Sequence, residues 1–346
     1  MPPRVIDPRA GFAAQPPGEF DAPPLPRVSA FDPEEAMNVS SPAGPVLSGA
    51  GSLLEALAAA RSIRFSAYLL RPGRFLDALE AAAARGADVR VRLQGEPYGH
   101  DGAEQSRLAQ LNGRVAAELR ARGASVHLTS AQEPAVHLKA AVVDGTAYLD
   151  DCNWTERGGD TIVATQRAGD VSAVVSALDG VARSGENVAT EKDRALSLEA
   201  GLIYETPGPV DCESESFSGG LVYAALKERA LGGAAVRLLV ARRDLAGGRN
   251  AYEAGALDRL ARAGVEIRLG NADDKLCLAS GEAWVGSANA SGGAPRTLDW
   301  GLRTRDEPLV GALRARFDAN WDAARPYPGA ELALPGSSQD PLSLTG

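Results

Sequence analysis

The sequence predicts an α/β protein of two similar lobes, each a sandwich of helices on a mostly parallel sheet. Three observations predict it. Short apolar runs with strand character alternate with helix-like runs along most of the chain, which is the pattern of α/β layers. The chain has 346 residues, enough for two lobes of roughly 150 residues each. The pattern of the first half also returns in the second at a fixed spacing, as an internal duplication does.

Residues 1–47 are rich in Pro and Ala and lack apolar periodicity, so they read as a tail. Lobe one is placed at 48–188. "SLLEALAAARS" has helical spacing, and "IRFSAYLL" is a short apolar strand. "FLDALEAAAARG" reads as a helix that stops at Gly86, since glycine readily takes the left-handed conformation that ends a helix. "ADVRVRL" alternates apolar and polar residues as a half-buried strand does. "LNGRVAAELRARG" is a further helix and "ASVHL" a further strand. "HLKAAVVDGTAYLD" reads as two strands joined at Asp144-Gly145, because Asp-Gly suits the positive φ angles of a tight hairpin.

Lobe two is placed at 189–330, with a junction near residues 183–193 and a tail at 331–346. "GGLVYAALKERALGG" and "AAVRLLVARR" echo one helix and strand of lobe one, and "ALDRLARAG" and "VEIRL" echo the next pair. "DDKLCLASGEAWVGSANAS" aligns with the stretch that begins at His137. Lys139 and Lys275 lie 136 positions apart, as do Asn153 and Asn289, and Asp170 and Asp306.

The net charge is −9, a field that disfavours nucleic acid and anionic membrane as partners unless a local basic groove overcomes it. The three cysteines, Cys152, Cys212 and Cys277, form no CxxC pair, which argues against a disulfide framework and against a zinc knuckle. Prolines near the N-terminus interrupt any signal-peptide core, and no apolar run approaches the ~18 residues of a membrane span. The expectation is a soluble, cytoplasmic protein.

The chemistry concentrates in His137, Lys139 and Asp144, followed by Asp150-Asp151-Cys152-Asn153. The matching stretch of lobe two reads Asp273, Lys275 and Ser280, then Gly286-Ser287-Ala288-Asn289. A pattern H-x-K-x4-D followed by G-S-x-N, once per lobe, resembles the phospholipase D superfamily over roughly residues 48–325. That resemblance implies a two-lobed phospholipase D-like α/β sandwich, a monomer whose lobes meet across a pseudo-twofold axis at one composite site.

It also implies a mechanism. His137 would attack phosphorus and form a phosphohistidine, with Asp144 orienting it. Lys139, Lys275, Asn153, Asn289 and Ser287 would hold the phosphoryl oxygens, with Gly286 allowing close approach. Asp299, and less well Asp160, fit the acidic residue that the family places downstream in support of the site. No metal and no cofactor is expected. The partner would be a phosphodiester, with lipid, nucleic acid and small soluble diester all left open.

The departures from the family pattern are as informative. Asp273 stands where the second histidine belongs, Ser280 where its aspartate belongs, and Asp150-Asp151 where lobe one should carry Gly-Ser. Asp273 could replace histidine as the acid only with a pKa raised from about 3.9 toward neutrality, and Asp274, Asp150 and Asp151 are the neighbours that would raise it. At least one of Asp150 and Asp151 is expected to line the cleft. His127 reads as a packed strand histidine. His100, in a loop after a strand, reads as a surface residue with a rescuing acid as the other reading. Cys152 and Cys277 read as small buried fillers, and Trp154 and Trp284 as packing residues. Two functions remain: a phosphodiesterase or phosphatidyl transferase, or a degenerate relative that binds a phosphate-bearing ligand or a protein partner without turnover.

Overall fold

A computed structural model describes residues 45–98, 101–154, 161–242, 251–291 and 297–328. In chain order the elements begin with β1 (Val46–Ser48), α1 (Ala50–Ala59), β2 (Ser62–Ala67), α2 (Arg74–Ala84), β3 (Asp88–Leu93), α3 (Gly102–Ala121) and β4 (Ser125–Leu128). Next come β5 (Ala135–Val136), β6 (Ala140–Val143), β7 (Thr146–Asp150), β8 (Ile162–Thr165), α4 (Ala168–Leu178) and β9 (Val188–Glu191). The second half holds α5 (Lys192–Glu205), β10 (Val210–Ser214), α6 (Leu221–Leu231), β11 (Val236–Ala241), α7 (Ala251–Arg262) and β12 (Glu266–Gly270). It ends with β13 (Leu276–Ala279), β14 (Glu282–Gly286), β15 (Thr297–Thr304), α8 (Glu307–Ala323) and β16 (Arg325–Pro326).

Local chemistry explains these elements. α2 buries Phe75, Leu76, Leu79, Ala82 and Ala83 on one face, the stripe that a 3.6-residue period requires. Gly86 follows it at φ 88. α3 starts where Asp101 accepts from the Glu104 amide, and α8 where Asp306 accepts from that of Leu309, each satisfying an orphan N–H of a first turn. β3 buries Val89, Val91 and Leu93 while Asp88 and Arg90 face outward.

The strands form two sheets. The first runs β1-β8-β7-β6-β2-β3-β4, and the second β16-β12-β11-β10-β13-β14-β15-β5, with β9 also pairing β15. The order β8-β7-β6-β2-β3-β4 of the first recurs as β15-β14-β13-β10-β11-β12 in the second. The expectation of mostly parallel sheets needs correction. β2, β3 and β4 are parallel, but β6, β7 and β8 join them antiparallel. The reason is the turn itself, since a two-residue connection can only reverse the chain. Asp144 and Gly145 take φ 45 and 86, and Ser280 and Gly281 take φ 44 and 80 at the corresponding turn of the second sheet.

Helices α1, α2 and α3 cover the outer face of the first sheet in one apolar cluster, and α5, α6 and α7 do so for the second. A third cluster joins the inner faces of both sheets with α4 and α8, from Leu138 and Leu149 through Leu276 and Trp300 to Leu313 and Phe317. The site lies along this shared core. Cys212 and Cys277 are cross-strand neighbours of β10 and β13 and form a disulfide. This overturns the expectation drawn from cysteine spacing: 65 residues separate them, and only the strand register brings them together.

The expected tails fall on residues outside the described ones, except that Val46–Ser48 pairs with Ile162–Ala164 as the edge of the first sheet. Among the described residues no helix is long and apolar enough to cross a membrane.

Candidate active site

His137 is positioned by a strand that changes sheets. β5 comes from the first half of the chain but adds to the second sheet beside β15, pairing Ala135 with Thr297 and Val136 with Leu298. The His137 amide continues the ladder by donating to the Leu298 carbonyl at 2.9 Å. The next residue of β15 is Asp299, and its carboxylate oxygens lie 3.0 and 3.2 Å from His137 Nδ1. This contact fixes the tautomer: Nδ1 carries the proton and Nε2 keeps its lone pair. Lys139 Nζ lies 2.8 Å from Nε2. Tyr68 stands edge-on to the imidazole, ring centroids 5.4 Å apart, with Lys139 Nζ over its face.

Electrostatics agree with a neutral imidazole. Burial, then the Lys139 ammonium, push the His137 pKa below its ordinary value and outweigh Asp299. Burial also brings Lys139 down to about 8, against the pull of Asp299. Burial opposes ionisation of Asp299, yet His137, Lys139 and Ser287 together hold its carboxyl below the usual range. The His137 side chain remains 26% exposed. It opens on a cleft of about 240 Å³ that Tyr68, Lys192, Asn289 and Asp299 also line.

Residues 53–165 match the family model described as cardiolipin synthase, PLD-like domain. The fold is similar to that of phosphatidylserine synthase from Haemophilus influenzae Rd KW20, with a TM-score of 0.62 and 12% identity over 82% of this chain and 87% of that one. It is also similar to polyphosphate kinase from Porphyromonas gingivalis, with a TM-score of 0.57 and 16% identity over 80% of this chain; the chain spans only 50% of that enzyme's length. Residues 53–165 thus match a PLD-like domain, and the fold of the chain is phospholipase D-like. No curated protein sequence matches it.

Against the phospholipase D pattern, Asp144 needs correction first. It does not touch His137. Its carboxylate accepts from the amides of Arg61, at 3.2 Å, and Ser62, at 2.8 Å. As the first residue of a tight turn, it points along the hairpin end to the start of β2. The orienting aspartate is Asp299 of the other half. Ser280, at the equivalent turn, donates to the Pro207 carbonyl. The Asp-to-Ser departure in lobe two therefore changes a turn and leaves the imidazole's support untouched.

Ser287 is corrected too. It is fully buried, donates to Asp299 and accepts from the Trp300 amide at 3.1 Å. Its hydrogen-bonding capacity goes to holding Asp299, so it does not face a phosphoryl group. Lys275 is equally committed. Its ammonium meets Glu215 at 2.9 Å, the Asp151 carbonyl at 3.2 Å and the Asp273 carbonyl at 3.3 Å. Three acceptors match the three N–H bonds of an ammonium. Lys139 holds no comparable set: His137 Nε2 is its one close hydrogen-bond partner among the described residues. The carboxamide oxygens of Asn153 and Asn289 are buried without a hydrogen-bond partner, and Asn289 lines the cleft.

The lobe-one aspartates do not line the cleft. Asp150 and Asp151 are both fully buried. Asp150 accepts from the Trp154 amide at 2.7 Å. Asp151 accepts from the Thr161 amide at 2.9 Å, just as Ser287 accepts from Trp300. Burial and the neighbouring Asp274 carboxylate push the Asp151 pKa well up. Asp274 in turn meets Arg316, Asn320 and the Thr161 hydroxyl. These groups form a polar seam behind the site. Asp273 is half-buried, and its carbonyl accepts from the Cys152 thiol as well as from Lys275.

His127 pairs with Glu133 at 2.8 Å, away from the cleft. Trp154 packs on Phe65 and Phe75. His100 and Asp160 lie outside the described residues. Sequence reasoning missed Tyr68, Lys192 and Glu215. The pairing of Ser66 with Ala140 and of Glu213 with Leu276 makes Tyr68 and Glu215 equivalent, each two residues further on. The halves keep different offsets before and after the motif, so a single spacing could not reveal this.

Proposed function

We propose that the chain is a phosphodiesterase or phosphatidyl transferase that works through a phosphohistidine on His137. The observation that carries this reading is the pair His137–Asp299, with Nδ1 held at 3.0 Å and Nε2 at 2.8 Å from Lys139. A neutral, fixed imidazole becomes a nucleophile once the Nε2 lone pair is released by Lys139. As a diester enters, Lys139 moves its hydrogen bond from Nε2 to a phosphoryl oxygen, and Asn289 adds its carboxamide. Nε2 then forms a bond to phosphorus, the bond to the leaving oxygen breaks, and Asp299 stabilises the imidazolium. Water or an alcohol completes the reaction.

A second reading, ligand binding without turnover, draws support from Lys275, whose three acceptors leave it no donor for phosphate. Release of nitrophenol from bis-p-nitrophenyl phosphate, with phosphatidylcholine and single-stranded DNA in parallel, separates the two. Turnover that His137→Ala abolishes supports the enzyme. Equal inactivity of both proteins on all three, with unchanged binding of inorganic phosphate, supports the binding protein.

A further inference from the structure

The covalent route needs a base for its second half, because a phosphohistidine is cleared only when water or an alcohol loses a proton as it attacks. In lobe two the residue aligned with His137 is Asp273, which is half-buried and is not among the charges that act most on His137 and Lys139. The carboxylates that act most strongly on Lys139 are Asp299, Glu215 and Asp150. Asp299 is buried and engaged on the Nδ1 side of the imidazole. Asp150 is fully buried and holds the Trp154 amide. Glu215 differs from both: its side chain is 31% exposed, and it ion-pairs with Lys275 at 2.9 Å. Lys139, on which Glu215 acts, is the group that lies 2.8 Å from Nε2, the atom that would carry phosphorus. Register makes Glu215 the counterpart of Tyr68, the residue that touches His137 and Lys139 in the other half.

We propose that Glu215 is the catalytic base of the second step, in the role that the absent second histidine would fill. The inference rests on the phosphohistidine reading above. In the step, water oxygen bonds to phosphorus as the bond between phosphorus and Nε2 breaks. The electron pair of that bond returns to Nε2, and the water proton passes to the Glu215 carboxylate and from its exposed edge to solvent. Lys275 fixes the carboxylate's orientation, which gives its own saturated ammonium a purpose.

Rapid mixing with bis-p-nitrophenyl phosphate tests this, because nitrophenolate leaves without a proton and isolates the second step. Wild type should release nitrophenol continuously. Glu215→Gln should release about one equivalent in a burst and then clear its adduct about a hundredfold more slowly, while Glu215→Asp retains at least a tenth of wild-type turnover. His137→Ala should show no burst. Turnover of Glu215→Gln at the wild-type rate overturns the proposal and leaves the phosphohistidine standing. Loss of the burst itself in Glu215→Gln, with unchanged thermal stability, also overturns it by assigning Glu215 to the first step. Absence of any adduct in wild type fails the parent reading and takes this one with it.

Discussion

Asp299 holds the imidazole of His137 at 3.0 Å across 162 residues of chain. The contact exists because β5 leaves its own half of the chain and pairs with β15. The imidazole and its orienting carboxylate thus come from different halves of the chain but meet on one sheet, and the site depends on both. Asp299→Asn keeps the shape but reverses the hydrogen-bond preference at Nδ1, so the wrong tautomer is favoured. Turnover should fall by about a hundredfold or more, measured as kcat with the fold checked by circular dichroism.

Asp144 gives the opposite expectation. Its carboxylate ties the hairpin turn to the amides of Arg61 and Ser62. Asp144→Ala should cost about 2 kcal/mol of stability, read from urea midpoints, while kcat per folded molecule stays unchanged. Asp144→Asn, which tolerates the positive φ and keeps one acceptor oxygen, should recover most of that loss.

The pH profile follows from the two buried bases. His137 is pushed below its ordinary value, so its imidazole is neutral across neutral pH. Lys139 is brought down to about 8, so the cation proposed to meet the phosphoryl group is lost as pH rises through that value. Activity should therefore hold through neutrality and decline above pH 8. Lys139→Arg, whose guanidinium stays charged, should show a lower rate but no decline there.

Glu199 offers a test of stability apart from the site. It is buried in the apolar cluster beside Cys212 and Cys277, one carboxyl oxygen has no hydrogen-bond partner, and burial raises its pKa to about 8. A folded-state pKa above the unfolded value means that the fold must take up a proton. Its contribution is fully present below the ordinary carboxylate range and is lost as pH rises toward 8. Between pH 4.5 and 7 this group alone should remove roughly 3 kcal/mol. Glu199→Gln should remove that part of the pH dependence, seen as a flatter profile of Tm against pH.

Much of this was legible in the sequence. The Asp144-Gly145 turn, the strands on each side of it and the recurrence of lysine and asparagine in both halves are local signals that packing does not override. The partner of His137 was less legible. β5 is a two-residue strand with no period to detect, so its crossing to the second sheet, and with it the contact to Asp299, appears only in three dimensions. The same holds for Ser287, whose residue type suits a phosphate but whose burial commits it to a carboxylate. Asp150 and Asp151 misled for a related reason: sequence shows charge, and burial decides whether that charge faces a ligand. The Cys212–Cys277 pair depends wholly on strand register.

On the proposed mechanism His137 becomes covalently attached to phosphorus. Intact-protein mass, recorded within seconds of mixing with bis-p-nitrophenyl phosphate and followed by peptide mapping, tests it most directly. The expected result is a gain of one nitrophenyl phosphoryl group, mapped to His137 and absent from His137→Ala. An unmodified mass in both wild type and Glu215→Gln, or an adduct that survives in His137→Ala, would contradict it.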